Sequence, residues 1–287
     1  MSKIDARRLA VILLVASTVA LASCGGPSRE TPQASAAPAA TPPPATTEAP
    51  HWGYEGEYGP EHWGTLSPDF AVCGTGSSQS PIDIVAGEAG TLPALSVGYG
   101  PATLHIVHQE HAADEVNTGH SIQVNYPGAD TLTVGDEQFP LVQYHFHSPS
   151  EHTVNGQHFP MEMHLVHKSA EGKLAVVGVL IAEGAANAAF DPVWQNLPTR
   201  KGQEAHLEHV TVDVDKLLPQ VHTTYRYEGS LTTPPCSEGV KWFVMTTPIE
   251  LSPEQIAQFR AILHGNNRPV QPLNARAVAT DAVGDAK

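Results

Sequence analysis

Gln143-Tyr144-His145-Phe146-His147 is followed, 17 residues after its last histidine, by His164 in Glu162-Met163-His164. In an extended strand, residues i and i+2 share a face. His145 and His147 therefore project to one side with Gln143, and Tyr144 and Phe146 to the other. The interval to His164 is long enough for a turn and an antiparallel return. On that second strand Glu162, His164 and Val166 share one side, opposed by Met163, Leu165 and His167. One sheet face thus collects three imidazoles flanked by a Gln and a Glu. Three neutral imidazoles with an open fourth position describe a catalytic zinc site, whereas a structural site is closed by four protein ligands. Gln143 and Glu162 are placed to hold the ring nitrogens that point away from the ion. Zinc on such ligands lowers the pKa of a bound water to about 7. That chemistry serves many electrophiles, so the ligands alone do not name a substrate.

Working outward, the chain alternates as strands do. Leu104–Val107 and Ser121–Tyr126 read as strands, and Thr131–Val134 leads through Gly135-Asp136 into Phe139–His147. Met161–His167 alternates again, and Leu174–Ile181 is apolar enough for a buried strand. His222–Tyr227 and Val240–Met245 complete the set. Helix is sparse: a break around Asp191–Leu197, and a helix start at Ser252-Pro253-Glu254-Gln255. Residues 51–100, rich in Gly and Pro, promise little regular structure. The expectation is one mainly β domain over residues 51–276, with a patternless tail at 277–287.

The first 50 residues are of another kind. Lys3, Arg7 and Arg8 precede an apolar run, Leu9–Leu21, too short for a membrane span of roughly 20 residues. Residues 1–23 read as an export signal, and Leu21-Ala22-Ser23-Cys24 resembles a bacterial lipobox, in which Cys24 is lipidated and becomes the mature N-terminus. Residues 24–50 are Pro, Ala, Thr, Ser and Gly with almost no large apolar side chain, a disordered tether. The implied location is the cell envelope, with the domain facing the periplasm or exterior. A formal charge of -15 argues against a nucleic-acid partner. Beyond Cys24 only Cys73 and Cys236 remain, and two cysteines in an exported chain favour a disulfide.

From His51 to about Arg276 the chain resembles the alpha-class carbonic anhydrases. The segments that carry the resemblance include His51-Trp52-Gly53-Tyr54, Gln79–Ile84, Asn117-Thr118-Gly119-His120, the two histidine strands, Ser150–Val154, Tyr227–Cys236 and Asn266-Asn267-Arg268-Pro269. The resemblance implies a large, mostly antiparallel twisted sheet with few short helices. It implies reversible hydration of carbon dioxide to bicarbonate by a zinc-bound hydroxide on His145, His147 and His164, with weak side esterase activity. Thr232 accepts from the hydroxide and donates to Glu151, Thr233 contacts bicarbonate, and His120 shuttles the proton to buffer. Leu231, Val166, Val176, Val240 and Trp242 line the apolar pocket. The protein would act as a monomer or dimer, and Cys73–Cys236 fits the disulfide of exported members. Thr118, Gln123 and Ser148 depart from residues common in the family, the first two in the region that carries the proton. His152 and His167 read as structural. Binding members of this fold that have lost catalysis lack one or more zinc histidines, and this chain keeps all three.

Overall fold

Alternating β-branched, aromatic and polar residues make strands the main regular structure of the described residues. The structure is a computed structural model that describes residues 50–85, 88–90, 92–108 and 121–281. Its strands are β1 (Asp83–Ile84), β2 (Glu88–Gly90), β3 (Leu95–Gly98), β4 (Pro101–His108), β5 (Ile122–Asn125), β6 (Thr131–Val134), β7 (Glu137–His147) and β8 (Thr153–Val154). They continue as β9 (Gln157–His158), β10 (Met161–Lys168), β11 (Leu174–Glu183), β12 (Glu204–Asp213), β13 (Thr224–Ser230), β14 (Glu238–Met245), β15 (Ile249–Leu251) and β16 (Ala279–Asp281). The helices are short: α1 (Trp63–Leu66), α2 (Val72–Thr75), α3 (Asp191–Trp194) and α4 (Pro253–Arg260). Among the described residues no helix is long and apolar enough to cross a membrane.

One large sheet runs in the order β12-β4-β5-β7-β10-β11-β14-β13-β16-β2. Its pairings are antiparallel except β11 with β14 and β15, and β16 with β2, which are parallel. Period-2 alternation sorts the two faces. Tyr144, Phe146, Met163, Leu165, Val177, Val179 and Phe243 pack on one side with Trp194, Ile256 and Phe259 from α3 and α4. Phe146 is fully buried and meets Trp194 edge to face at 5.2 Å, a burial worth about 1.5–3 kcal/mol. Val166, Val176, Leu180, Trp242 and Val244 form the opposite cluster with Ile82 and Ile84. Helix α4 starts on the expected capping box, with Ser252 Oγ accepting from Gln255 N at 3.2 Å and Gln255 Oε1 accepting from Ser252 N at 3.1 Å.

Besides short elements such as β3, β8, β9 and β15 that the sequence reading did not contain, three larger differences bear on the sheet. β12 was absent from that reading, because its pattern is polar: Glu204, His206 and Glu208 are exposed, and only the fit against β4 makes it a strand. The strand expected at His222–Tyr227 runs Thr224–Ser230, two to three residues later. The tail taken as structureless from residue 277 contributes β16, which pairs with β13 and β2. Asp281 Oδ2 accepts from the Thr224 backbone N–H at 2.8 Å, and Arg226 bridges to Asp281 Oδ1 at 2.5 Å. Residues 1–49, 109–120 and 282–287 lie outside the described residues, and with them the export signal, Cys24, the tether, Thr118 and His120.

Candidate active site

The antiparallel register of β7 and β10 sets His164 opposite His145 and Glu162 opposite His147. The facing nitrogens of His145, His147 and His164 all lie within 4.8 Å of one another, and all three residues are buried. Each ring is held from behind. His145 Nδ1 donates to Gln143 Oε1 at 2.8 Å, His147 Nδ1 to the Asn266 backbone carbonyl at 2.7 Å, and His164 Nε2 to Glu162 Oε1 at 2.9 Å. With those nitrogens committed as donors, the remaining ones, Nε2 of His145 and His147 and Nδ1 of His164, present lone pairs. Burial pushes the pKa of all three down, that of His147 to about 4, so they stay neutral at neutral pH. His147 Nε2 is buried with no hydrogen-bond partner. Three converging lone pairs without a donor repel one another unless a cation sits between them, and an all-imidazole donor set suits zinc.

Glu162 does more than back His164. Its Oε2 accepts the backbone N–H groups of Glu151 and His152, each at 2.9 Å, and its Oε1 also takes His152 Nδ1 at 2.7 Å. Burial acts to raise its pKa, but its two histidine partners overcome that and hold it well below the usual carboxylate range. His152 Nε2 then meets the Tyr227 hydroxyl at 2.7 Å, and Tyr227 meets Ser80 Oγ at 2.9 Å. His167 is likewise satisfied, by Tyr99 at 2.6 Å and the Ala175 carbonyl at 3.2 Å.

Glu151 lies beneath the triad, its Oε2 3.5 Å from His147 Nε2 and 3.8 Å from His164 Nδ1. Its Oε1 accepts the Arg268 backbone N–H at 2.9 Å. Burial pushes its carboxyl up to about 7, against hydrogen bonds from Arg268 and the Thr232 hydroxyl that draw it down. Arg268 itself is buried, its guanidinium donating to Gln79 Oε1, Ser80 O and Cys73 O at 2.8–2.9 Å. Cys73 and Cys236 are joined, with Cα atoms 5.0 Å apart. Gln79 Nε2 donates to Cys236 O at 3.0 Å, so the Thr232–Cys236 segment and the Arg268 segment are tied to one brace.

Beside the imidazoles a small cavity is lined by His145, His164, Val166, Val176, Leu231, Thr232, Thr233 and Trp242. Every expected pocket residue is there except Val240. It is buried in the same apolar cluster but does not line the cavity. Gln123, on β5, sits opposite His145 of β7 and donates to Asn125 Oδ1 at 2.5 Å. Ser148 uses its hydroxyl to accept from Arg260 Nε at 2.9 Å and donate to the Pro160 carbonyl at 3.1 Å. The sequence reading assigned no role to Asn266 or Arg268. They reach His147 and Glu151 through backbone atoms, which leave no side-chain signature, while their side chains brace the strands and loops around the site; the one signal was their place in the Asn266–Pro269 segment.

A buried set of three imidazoles beside a partly apolar cavity can hold a cation and admit a small uncharged molecule. Comparison with known proteins makes the class specific. Residues 58–282 match the family model of eukaryotic-type carbonic anhydrases. A carbonic anhydrase of Klebsiella pneumoniae is 46% identical over 240 residues, covering 82% of this chain and 93% of that protein. One from Pectobacterium carotovorum is 45% identical over 235 residues, covering 82% and 92%. Among solved structures, the alpha-carbonic anhydrase of Thermovibrio ammonificans, in complex with the inhibitor sulfanilamide, aligns with a TM-score of 0.75 and 45% identity, over 81% of this chain and all of that one. The chain belongs to the eukaryotic-type, or alpha, carbonic anhydrase family, and it is an enzyme of carbon dioxide hydration.

Proposed function

We propose that this chain hydrates carbon dioxide reversibly to bicarbonate and a proton with a zinc ion held by His145, His147 and His164. The observation that carries the reading is the set of three buried imidazoles, each with one nitrogen committed to an acceptor and the other turned to a common point. Zinc bound there supplies the Lewis acidity that brings a water to ionisation near neutral pH. The rest is the work of the chain. Thr232, whose hydroxyl donates to Glu151, has only a lone pair left for the attacking water. It accepts a hydrogen bond from that water's remaining O–H and so aims the oxygen lone pair at the incoming carbon. The Arg268 N–H and the Thr232 hydroxyl favour the charged form of Glu151 against the burial that raises its pKa. Val166, Val176, Leu231 and Trp242 offer an apolar wall to a molecule without charge or dipole, and Thr233 is placed to contact bicarbonate. His120 accepts the proton and passes it to buffer. A weak esterase activity accompanies hydration, since an ester carbonyl meets the same nucleophile.

The export signal, the lipobox-like Cys24 and the tether support a lipid-anchored enzyme of a bacterial envelope, facing the periplasm or the exterior. Stopped-flow hydration by the purified protein tests the core of the reading. Activity should fall to background on zinc removal and return with zinc; activity untouched by metal stripping would overturn it. His120→Ala should slow turnover in weak buffer and be rescued by imidazole.

A further inference from the structure

Away from the cavity, a second group of metal-competent side chains crosses the edge of the sheet. β12 pairs with β4 in a register that sets His206 directly opposite His105 and Glu204 opposite Val107. Directly opposed residues share a face, and so do residues two apart on one strand. His105, His206 and Glu204 therefore stand on one side of the sheet. The two imidazoles are stacked, with centroids 4.8 Å apart and planes within 8°. Glu204 Oε1 sits against His105 Nε2. Asn125 on β5 is opposite His105 and adds an amide on the other flank. β12 is the outer strand of the sheet order, and both Glu204 and His206 are exposed.

This group is separate from the catalytic triad. Glu204 belongs to the cross-strand row His145, Gln123, Val107, Glu204. Three strand steps at about 4.8 Å put it roughly 14 Å from His145. A hydrogen bond accounts for His105 and Glu204, but not for His206. Among the described residues the one contact of that ring is the stack on His105. Two imidazoles and a carboxylate on adjacent strands form an N2O donor set, which favours borderline divalent transition metals over calcium or magnesium. The acidic chain also draws cations toward its surface.

We propose that His105, His206 and Glu204 form a second, surface site for a borderline divalent transition-metal ion, Zn2+ or Cu2+. The three ligand atoms are not mutually within the 4.8 Å that marks the catalytic triad. Binding therefore turns the His206 ring out of its stack and into line with Glu204. The ion takes the place of the proton between His105 Nε2 and the carboxylate, and that proton is released on binding.

Calorimetric titration of the zinc-loaded full chain with Zn2+ tests this, with bound metal counted by equilibrium dialysis. Wild type should take up one saturable equivalent beyond the first. His206→Ala and His105→Ala should each weaken that equivalent at least about tenfold, while His264→Ala should leave it unchanged. Hydration activity in metal-free buffer should be the same in all three variants. Electron paramagnetic resonance of one added equivalent of Cu2+ should show coupling to two nitrogens in wild type and to no more than one in His206→Ala. Saturation at one equivalent in wild type overturns the proposal, and so does an undiminished second equivalent in His206→Ala. His206 is exposed on an edge strand, so that variant keeps the test decisive if His105→Ala folds poorly.

Discussion

Gly229→Ala puts the site's supporting frame under a defined load. Gly229 lies on β13 opposite Val240. A Cβ there would fall 2.1 Å from Ser80 Oγ, 2.7 Å from Tyr227 Cε2 and 3.0 Å from Trp242 Cδ1. The hydroxyl cannot turn aside without loss, because it accepts the Ser230 backbone N–H at 3.0 Å and pairs with the Tyr227 hydroxyl at 2.9 Å. Leaving that buried amide unpaired costs about 1–3 kcal/mol. Crowding the Tyr227 and Trp242 rings adds about 1–3 kcal/mol as overpacking. The expected destabilisation is about 2–6 kcal/mol, or roughly 10 °C in melting temperature for a domain of this size. Urea unfolding of the oxidised protein measures it. Repeating the substitution in a Ser80→Gly background removes the shortest contact, so the cost should fall there by at least about 1 kcal/mol. A loss below about 1 kcal/mol in wild type, or an equal loss in both backgrounds, would refute the reasoning.

Thr232→Val keeps the shape of the cavity wall but deletes the hydroxyl between Glu151 and the attacking water. kcat/KM for hydration should fall about 10²-fold, and a change under about threefold would remove Thr232 from the orienting role. Burial holds the His167 pKa down to about 4, while the unfolded chain titrates near 6.5. Between those values the unfolded state binds the extra proton, so this stability is complete above about pH 6.5 and is lost as pH falls toward 4. The loss reaches about 3 kcal/mol. His167→Gln should flatten the fall of the urea midpoint across that window, and an unchanged slope would rule His167 out as its source. Replacing Cys73 and Cys236 together by Ser opens a link between residues 163 apart and should cost up to about 4–5 kcal/mol. A loss under about 1 kcal/mol would mean that the Gln79 and Arg268 hydrogen bonds hold this region without the bond.

The catalytic face was legible because the chemistry and the backbone period agree. His145 and His147 at i and i+2 are forced to one side of β7 while Tyr144 and Phe146 enter the opposite core. The same parity places Glu162, His164 and Val166 together on β10. Apolar runs identified β11 and β14, and the Ser252–Gln255 box identified α4, since each rests on neighbours in sequence. β12 and β16 were not legible. The first is polar and exposed, and the second is three residues long and defined by its pairing with Tyr225 and Arg226. Val240 shows the limit of parity: it shares the apolar cluster of Trp242 but does not reach the cavity.

By itself, then, the sequence determined which side chains could meet a metal and on which face, because strand alternation is a local rule. Which strands pair, and what stands behind each ligand, was decided in three dimensions. The Asn266 carbonyl that fixes His147 lies 119 residues away from it, and the Arg268 amide that holds Glu151 lies 117 residues away. Both are backbone groups that every residue carries, so only folding the chain around Arg268 and the Cys73–Cys236 link gives them an address. The His105–His206 pair depends in the same way on the register of an edge strand that no local pattern announces.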